Sequence, residues 1–227
     1  MREVLLIDIV EALQEMEKSI YRTAKFIMSC KEFVKLPLSD KWLVFRHCSN
    51  SCCMLVRIYM STQLFGYDLH DHRTIFGDDF YCYVDKFNFD SSTLGLTEEN
   101  AKKVSQMLAP FGNQMSKNVM KPMKILRITK LELVYVIALV IWDVDNIEGL
   151  SDSTVDVAER FKEEAANELH NYYKFELRMT NYAYRICQLT NIVHAVDKLC
   201  DMRKEIFTIA KVFDMFSCAM FEKDSFL

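Results

Sequence analysis

Glycine and proline are scarce, five and three among 227 residues, about a third of their ordinary share. That shortage excludes the turn-rich all-β classes, which need such punctuation between their many short strands. Long apolar runs are also missing. The longest, residues 133–142, is ten residues between Glu132 and Asp143, about half of the ~20 that a membrane-crossing helix requires. The apolar start is broken by Asp8 and Glu11 before it reaches signal-peptide length. A soluble chain without membrane contact is expected. Nor is there an excess of positive charge: 28 Lys and Arg stand against 32 Asp and Glu, net −4. A polyanion would not be attracted, so no direct nucleic-acid contact by this chain is expected. None of the eight cysteines forms a C-x-x-C pair, which excludes zinc fingers and ribbons. G-x-S-x-G, a phosphate-cradling glycine loop and H-E-x-x-H are all absent, and no enzymatic activity is expected.

What is present is helical pattern. The chain is 51% hydrophobic and 26% charged, enough apolar material for a substantial core. Leu6, Ile9, Leu13, Met16, Ile20, Ala24 and Ile27 recur at spacings of three or four, predicting one amphipathic helix over residues 3–35 that Pro37 stops. Ser39 or Asp40 is placed to cap the next helix. That helix is apolar nearly all round from Trp42 to Tyr59. Residues 73–84 set aromatic and β-branched side chains around a Gly-Asp turn, the signal for one short hairpin. A further helix opens at Thr97, with Pro110 and Gly112 expected to kink or split it. Thr129-Lys130-Leu131-Glu132 spells a capping box for the most apolar helix, and that role accounts for Glu132. Ser151-Asp152-Ser153 caps the next helix. Tyr182, Ile186, Leu189, Val193, Val196 and Cys200 then form a heptad-like stripe, able to pack internally or to dimerise, on a helix continuing toward Phe213.

Helices apolar on every side need neighbours on both faces. The prediction is therefore one domain over residues 1–227, of about eight helices in layers, with a small hairpin. Most cysteines fall within apolar helical patterns and read as reduced, buried thiols in a cytosolic or nuclear setting. Cys48 beside His47 is a core cysteine rather than a nucleophile. His70-Asp71-His72 with Asp78 and Asp79 has metal-ligand residue types but no further ligand at a familiar spacing, and reads as an ordinary loop.

Phe33-Val34-Lys35-Leu36-Pro37-Leu38-Ser39-Asp40-Lys41-Trp42-Leu43-Val44-Phe45 resembles the signature of nuclear hormone receptor ligand-binding domains, F-x-x-L-x-x-x-D-Q-x-x-L-L, with Lys41 where the family prefers Gln. About ninety residues later, Ile128-Thr129-Lys130-Leu131-Glu132-Leu133, the apolar run to Trp142, and Gly149-Leu150-Ser151 resemble the family's eighth helix and the loop after it. The long terminal helix is similar to the family's dimerisation helix. The whole resembles a divergent orphan receptor.

The resemblance implies an all-α fold: a three-layer antiparallel helical sandwich with an apolar pocket in its lower half. It also implies a groove for a coregulator peptide of L-x-x-L-L type. Occupancy of the pocket would shift the population of a C-terminal activation helix against that groove. No cofactor is implied, only an apolar or lipid-like ligand. The family's groove lysine falls at Met28, with Lys25 and Lys31 one turn to either side, and the acid of its clamp is represented by Glu222. Its ligand-anchoring arginine aligns with Met60, Arg57 standing one turn earlier, which weakens the case for a carboxylate hormone. Met16, Ile20, Cys52, Cys53, Val56, Met107, Phe111 and Phe207 are pocket candidates, or else plain core. The interior they imply is small or filled.

Tyr182, Ile186, Leu189, Val193 and Val196 are candidates for a homo- or heterodimer with another receptor. The family's DNA-binding zinc module is not in this chain. Two readings follow: the regulatory part of a longer nuclear receptor, or a DNA-binding-deficient dimerisation partner, nuclear or both cytoplasmic and nuclear. A helical adaptor with no ligand is the third alternative.

Overall fold

Periodicity in the first 35 residues points to a single helix, and the computed structural model, which describes residues 1–86, 88–90, 92 and 97–212, divides that segment into four elements. Strands β1 (Arg2–Glu3) and β2 (Leu6–Ile7) precede helix α1 (Ile9–Ile27), and a short α2 (Lys31–Lys35) follows. Asp8 causes the first break. Its carboxylate accepts the backbone N–H groups of Val10 at 2.8 Å and Glu11 at 3.2 Å, which starts α1 there. Val4 and Ile7 are buried with Ala12, Phe80 and Cys82 in a small separate core. Their backbone bonds go to distant chain: Val4 N–H donates to the Tyr81 carbonyl at 2.9 Å, and Asn88 N–H to the Leu5 carbonyl at 2.9 Å. Pairing with a partner some 80 residues away leaves no trace in local spacing.

Helix α3 (Leu38–Phe65) extends the predicted apolar helix at both ends to 28 residues, about 42 Å at 1.5 Å per residue. It ends at Gly66, whose φ of 86° suits glycine. Pro37, not Ser39 or Asp40, occupies the cap position, without a side-chain bond. The predicted hairpin is β3 (Arg73–Ile75) with β4 (Phe80–Tyr83), antiparallel. It is part of a larger arrangement: β1 adds in parallel to β4, giving the order β1-β4-β3, and β2 pairs in parallel with β5 (Asn88–Phe89).

Helix α4 (Glu98–Met115) runs through Pro110 without splitting. The irregularity comes later, as a π-turn at Ser116–Met120 leading into α5 (Lys121–Leu126). Gly112 is required by close approach, because a Cβ there would lie 1.9 Å from the Val84 carbonyl oxygen. The predicted capping box opens α6 (Lys130–Ile141). Helix α7 (Asp152–Asn171) ends in a second π-turn, Tyr172–Glu176, and α8 (Ala183–Val212) follows.

The result is a three-layer helical sandwich. The helices that read as apolar all round, α3 and α6, pack against each other at its centre; α3 also meets α1 and α8, α6 also meets α7 and α8, and α4 lies on α8. Val44, Cys48, Leu55 and Ile58 of α3 join Val136, Ile137 and Val140 of α6 and Leu189, Ile192 and Val196 of α8 in one core. Trp142 closes one end, its ring 6.3 Å from Phe33 and 5.1 Å from Phe161.

Two buried carboxylates fasten the layers. Asp40, 3% exposed, accepts the Ser151 N–H at 3.1 Å, the Ser151 hydroxyl at 2.6 Å and the Thr154 hydroxyl at 2.7 Å. These bonds, led by the Ser151 hydroxyl, hold its carboxyl down at about 2. Ser151 sits at the cap of α7 as expected, but its hydroxyl serves Asp40 rather than the helix. Glu132 does more than the capping box required. Fully buried, it also takes the hydroxyl of Tyr173 at 2.6 Å and the guanidinium of Arg185, whose Nη2 reaches Oε2 at 2.8 Å and the Leu126 carbonyl at 2.9 Å. Burial alone would raise this carboxyl; Arg185, the Thr129 N–H and Tyr173 outweigh it and hold the group below its ordinary value.

Candidate functional site

A group of polar and titratable residues lies on α1, α3, the hairpin and α8. Thr23 of α1 is buried, and its hydroxyl is 3.1 Å from the Cys53 thiol of α3. Met16 and Ile20, both half-buried, share the Thr23 face of α1 by their spacings of four and three. One turn beyond Cys53, the Arg57 guanidinium stands 4.9 Å from the centre of the Phe76 ring. Burial pushes the Cys53 thiol up, partly offset by its bond with Thr23 and by the charges of Arg57 and, on α8, Arg203. Burial is also the dominant influence on both arginines, drawing each below its ordinary value. Each nonetheless retains accessible surface. Cys82 of β4 is pushed up to about 12 by burial, against the pull of Arg57.

The pocket candidates separate on this framework. Met16 and Ile20 lie on the face of α1 whose Thr23 meets Cys53. Cys52 is 1% exposed and belongs to the packed core with Cys48, so it faces neighbours rather than a space. Val56 is 40% exposed, a correction that follows from helix geometry: about 100° per residue separates it from the inward-facing Leu55 and from Arg57. Met107 and Phe111 pack against Val104, Leu108 and Ile206 where α4 meets α8. Phe207 is on α8, and its side chain lies outside the described residues, as do Glu222 and the predicted continuation to Phe213. Met60, aligned with the family's anchoring arginine, is 51% exposed.

Sequence reasoning did not single out Arg203 or Thr23 and set Arg57 aside. The available signal was a permanent cation in a helix apolar all round, a placement that needs a physical reason.

At the C-terminal end of α1 the surface is apolar. Phe26, Met28, Val34, Leu38 and Trp42 are 43% to 82% exposed where the chain passes from α1 through α2 into α3. Lys25 and Lys31 are exposed in the same stretch, the Lys25 ammonium 4.4 Å from the centre of the Tyr21 ring.

The predicted dimer stripe is turned inward. Leu189, Val193 and Val196 are buried in the main core, with Tyr182 and Ile186 packed against it. The other face of α8 presents Tyr184, Cys187, Asn191, His194 and Lys198 to solvent. Cys187 therefore departs from the expectation of buried thiols. In the loop and hairpin, Asp71 pairs with Arg73, His72 with Asp85 and Asp78 with Arg22. Among the described residues no cluster suited to a metal ion occurs, and no helix is long and apolar enough to cross a membrane.

Comparison with known proteins gives consistent matches. The family model for the ligand-binding domain of nuclear hormone receptor matches residues 1–213. Nuclear hormone receptor family member nhr-213 of Caenorhabditis elegans is 25% identical over 210 residues, covering 92% of this chain and 50% of that protein. Family member nhr-54 of the same organism is 24% identical over 235 residues, covering 97% and 53%. The chain thus spans about half the length of these relatives. The Ultraspiracle ligand-binding domain from Drosophila melanogaster superposes with a TM-score of 0.66 at 13% identity, covering 96% of this chain and 79% of that one.

Proposed function

This chain belongs to the family of nuclear hormone receptor ligand-binding domains, and from that premise we propose that it is the regulatory domain of a ligand-regulated transcription factor. It acts by binding rather than by catalysis. An apolar or lipid-like molecule held between α1, α3 and α8 biases the surface at the C-terminal end of α1, and that surface recruits a coregulator peptide of L-x-x-L-L type in the nucleus. The outward stripe of α8, Tyr184 to Lys198, is the surface we assign to a second receptor. With net charge −4, DNA contact is not assigned to these residues.

The observation that carries this reading is the exposed run Phe26, Met28, Val34, Leu38 and Trp42 flanked by Lys25 and Lys31. An amphipathic helix laid there would bury its leucines on the apolar side chains and set its C-terminal carbonyls near an ammonium group. Fluorescence polarisation with a labelled L-x-x-L-L peptide tests it. Trp42→Glu is expected to weaken binding roughly tenfold or more, about 1.4 kcal/mol or above, whereas Tyr184→Glu on α8 leaves it unchanged. Equal loss from both substitutions, or from neither, would remove the groove assignment.

A further inference from the structure

We propose that the surface running from the end of α1 through α2 into α3 selects its partner by charge, and that the partner is an amphipathic helix whose leucines are flanked by Asp and Glu. The proposal rests on the reading of this surface as a peptide-binding site and adds the chemistry of the peptide.

Between Lys25 and Arg46 the chain carries five cationic side chains, Lys25, Lys31, Lys35, Lys41 and Arg46, against two carboxylates, Glu32 and Asp40. Neither carboxylate offsets the excess. Asp40 is 3% exposed and turned to the hydroxyls of Ser151 and Thr154. Glu32 lies 2.7 Å from the Lys35 ammonium, and Lys35, joined by Arg160 of α7, holds that carboxyl below its ordinary value. Among the described residues no ion pair reaches Lys25, Lys31, Lys41 or Arg46. Four unneutralised cations thus share one stretch of a chain whose net charge is −4. The opposite charge gathers on α7, where Asp152, Asp156, Glu159, Glu163, Glu164 and Glu168 are exposed.

Helical spacing sets each of the four cations one turn from an exposed apolar side chain: Lys25 three residues before Met28, Lys31 three before Val34, Lys41 three after Leu38 and Arg46 four after Trp42. A helix that buries its leucines on the apolar residues therefore brings its flanking residues toward the cations. Acidic flanks are attracted and basic ones repelled, so charge decides which helices are accepted. Met28, where the resemblance places a lysine, is apolar and 48% exposed, so the positive charge is spread around the apolar residues instead of standing at one point among them. Cations among apolar side chains also suit an anionic membrane. Adsorption there would bring the whole chain, net −4, toward like charge, whereas a peptide meets this surface alone.

Fluorescence polarisation on the full chain, with three labelled peptides that share one L-x-x-L-L core and differ in flanks of Glu, Gln or Lys, tests the proposal. Exposed ion pairs are individually weak, and four cations together are expected to favour the Glu-flanked peptide over the Gln-flanked one by roughly tenfold at low salt, with the Lys-flanked peptide weakest. The differences should shrink at about 1 M salt, where screening acts within about 3 Å. Lys31→Glu with Arg46→Glu should abolish or reverse the preference while the Gln-flanked peptide still binds, which also shows that the variant is folded. Equal binding of the three peptides, or a preference that survives the double substitution, would overturn the selection by charge and leave the peptide-binding surface intact. Failure of all three to bind would overturn that underlying reading as well. Capture of the chain by phosphatidylserine vesicles, lost in the double variant, would overturn the peptide as occupant in favour of a membrane. Self-association in sedimentation, lost in the same variant, would overturn it in favour of the acidic α7 face of a second copy.

Discussion

Replacing Arg185 by alanine is the most informative single perturbation of this fold. Arg185 gives the fully buried Glu132 its only cationic partner among the described residues, through Nε to Oε1 and Nη2 to Oε2, and it satisfies the Leu126 carbonyl at the end of α5. Removing one member of a buried ion pair costs roughly 3–5 kcal/mol, because the remaining charge is left uncompensated. Two effects pull the value toward the lower end. Glu132 keeps the Thr129 N–H at 2.8 Å and the Tyr173 hydroxyl at 2.6 Å, and the Arg185 side chain is 21% exposed, so water can enter the vacated volume. The expected loss is about 3 kcal/mol, a large part of the ~5–15 kcal/mol that holds an ordinary domain together. Urea denaturation should show a midpoint lowered by about 1 M, taking a slope of about 3 kcal/mol per molar.

The pH dependence of that variant carries a definite sign. Without Arg185, burial is left as the main influence on Glu132 and raises its folded value above its unfolded one. The folded state then binds the proton more tightly, so the variant should regain stability as pH falls from 7 toward 5. A loss below about 1 kcal/mol, or a pH response of opposite sign, would refute the view that the α6 to α8 junction rests on this pair.

Asp40, held at about 2 against an unfolded value near 3.9, contributes stability that is fully present above about pH 4 and lost as pH falls toward 2; Asp40→Asn should flatten that part of an acid titration followed by circular dichroism and cost about 2 kcal/mol at pH 7. Gly112→Ala should destabilise by roughly 1–3 kcal/mol in thermal melts, since its Cβ would meet the Val84 backbone carbonyl rather than a flexible side chain, and an unchanged melting temperature would contradict the close approach of α4 to the end of the hairpin.

Much of the helical architecture was legible because helices announce themselves locally. Thr129 and Glu132 spell the capping box they form, and the all-round apolar character of residues 42–59 and 131–142 correctly demanded a central layer. The first helix was misjudged where local rules compete: Leu6 fits a helical period with Ile9 and Leu13, but the Asp8 cap and the pairing with β4 and β5 prevail. Proline position alone also misled, since α4 accommodates Pro110 and breaks regularity six residues later. The site was less legible than the fold. The stripe on α8 is equally good as a dimer seam or a core face, and only burial decides which side faces inward.

By itself the chain determined most of the helical segments after Asp8, that two of them must be enclosed, and through the residues 33–45 and 128–151 which family they resemble, because period, capping and composition act within a few residues. The tertiary structure alone decided that Glu132 meets Arg185, that Asp40 accepts from Ser151 instead of capping its own helix, and that Ser51 meets Cys200. Those partners lie 53, 111 and 149 positions apart along the chain. Charge pairing and desolvation act across space, so their outcome is fixed only when the packed layers bring such residues together.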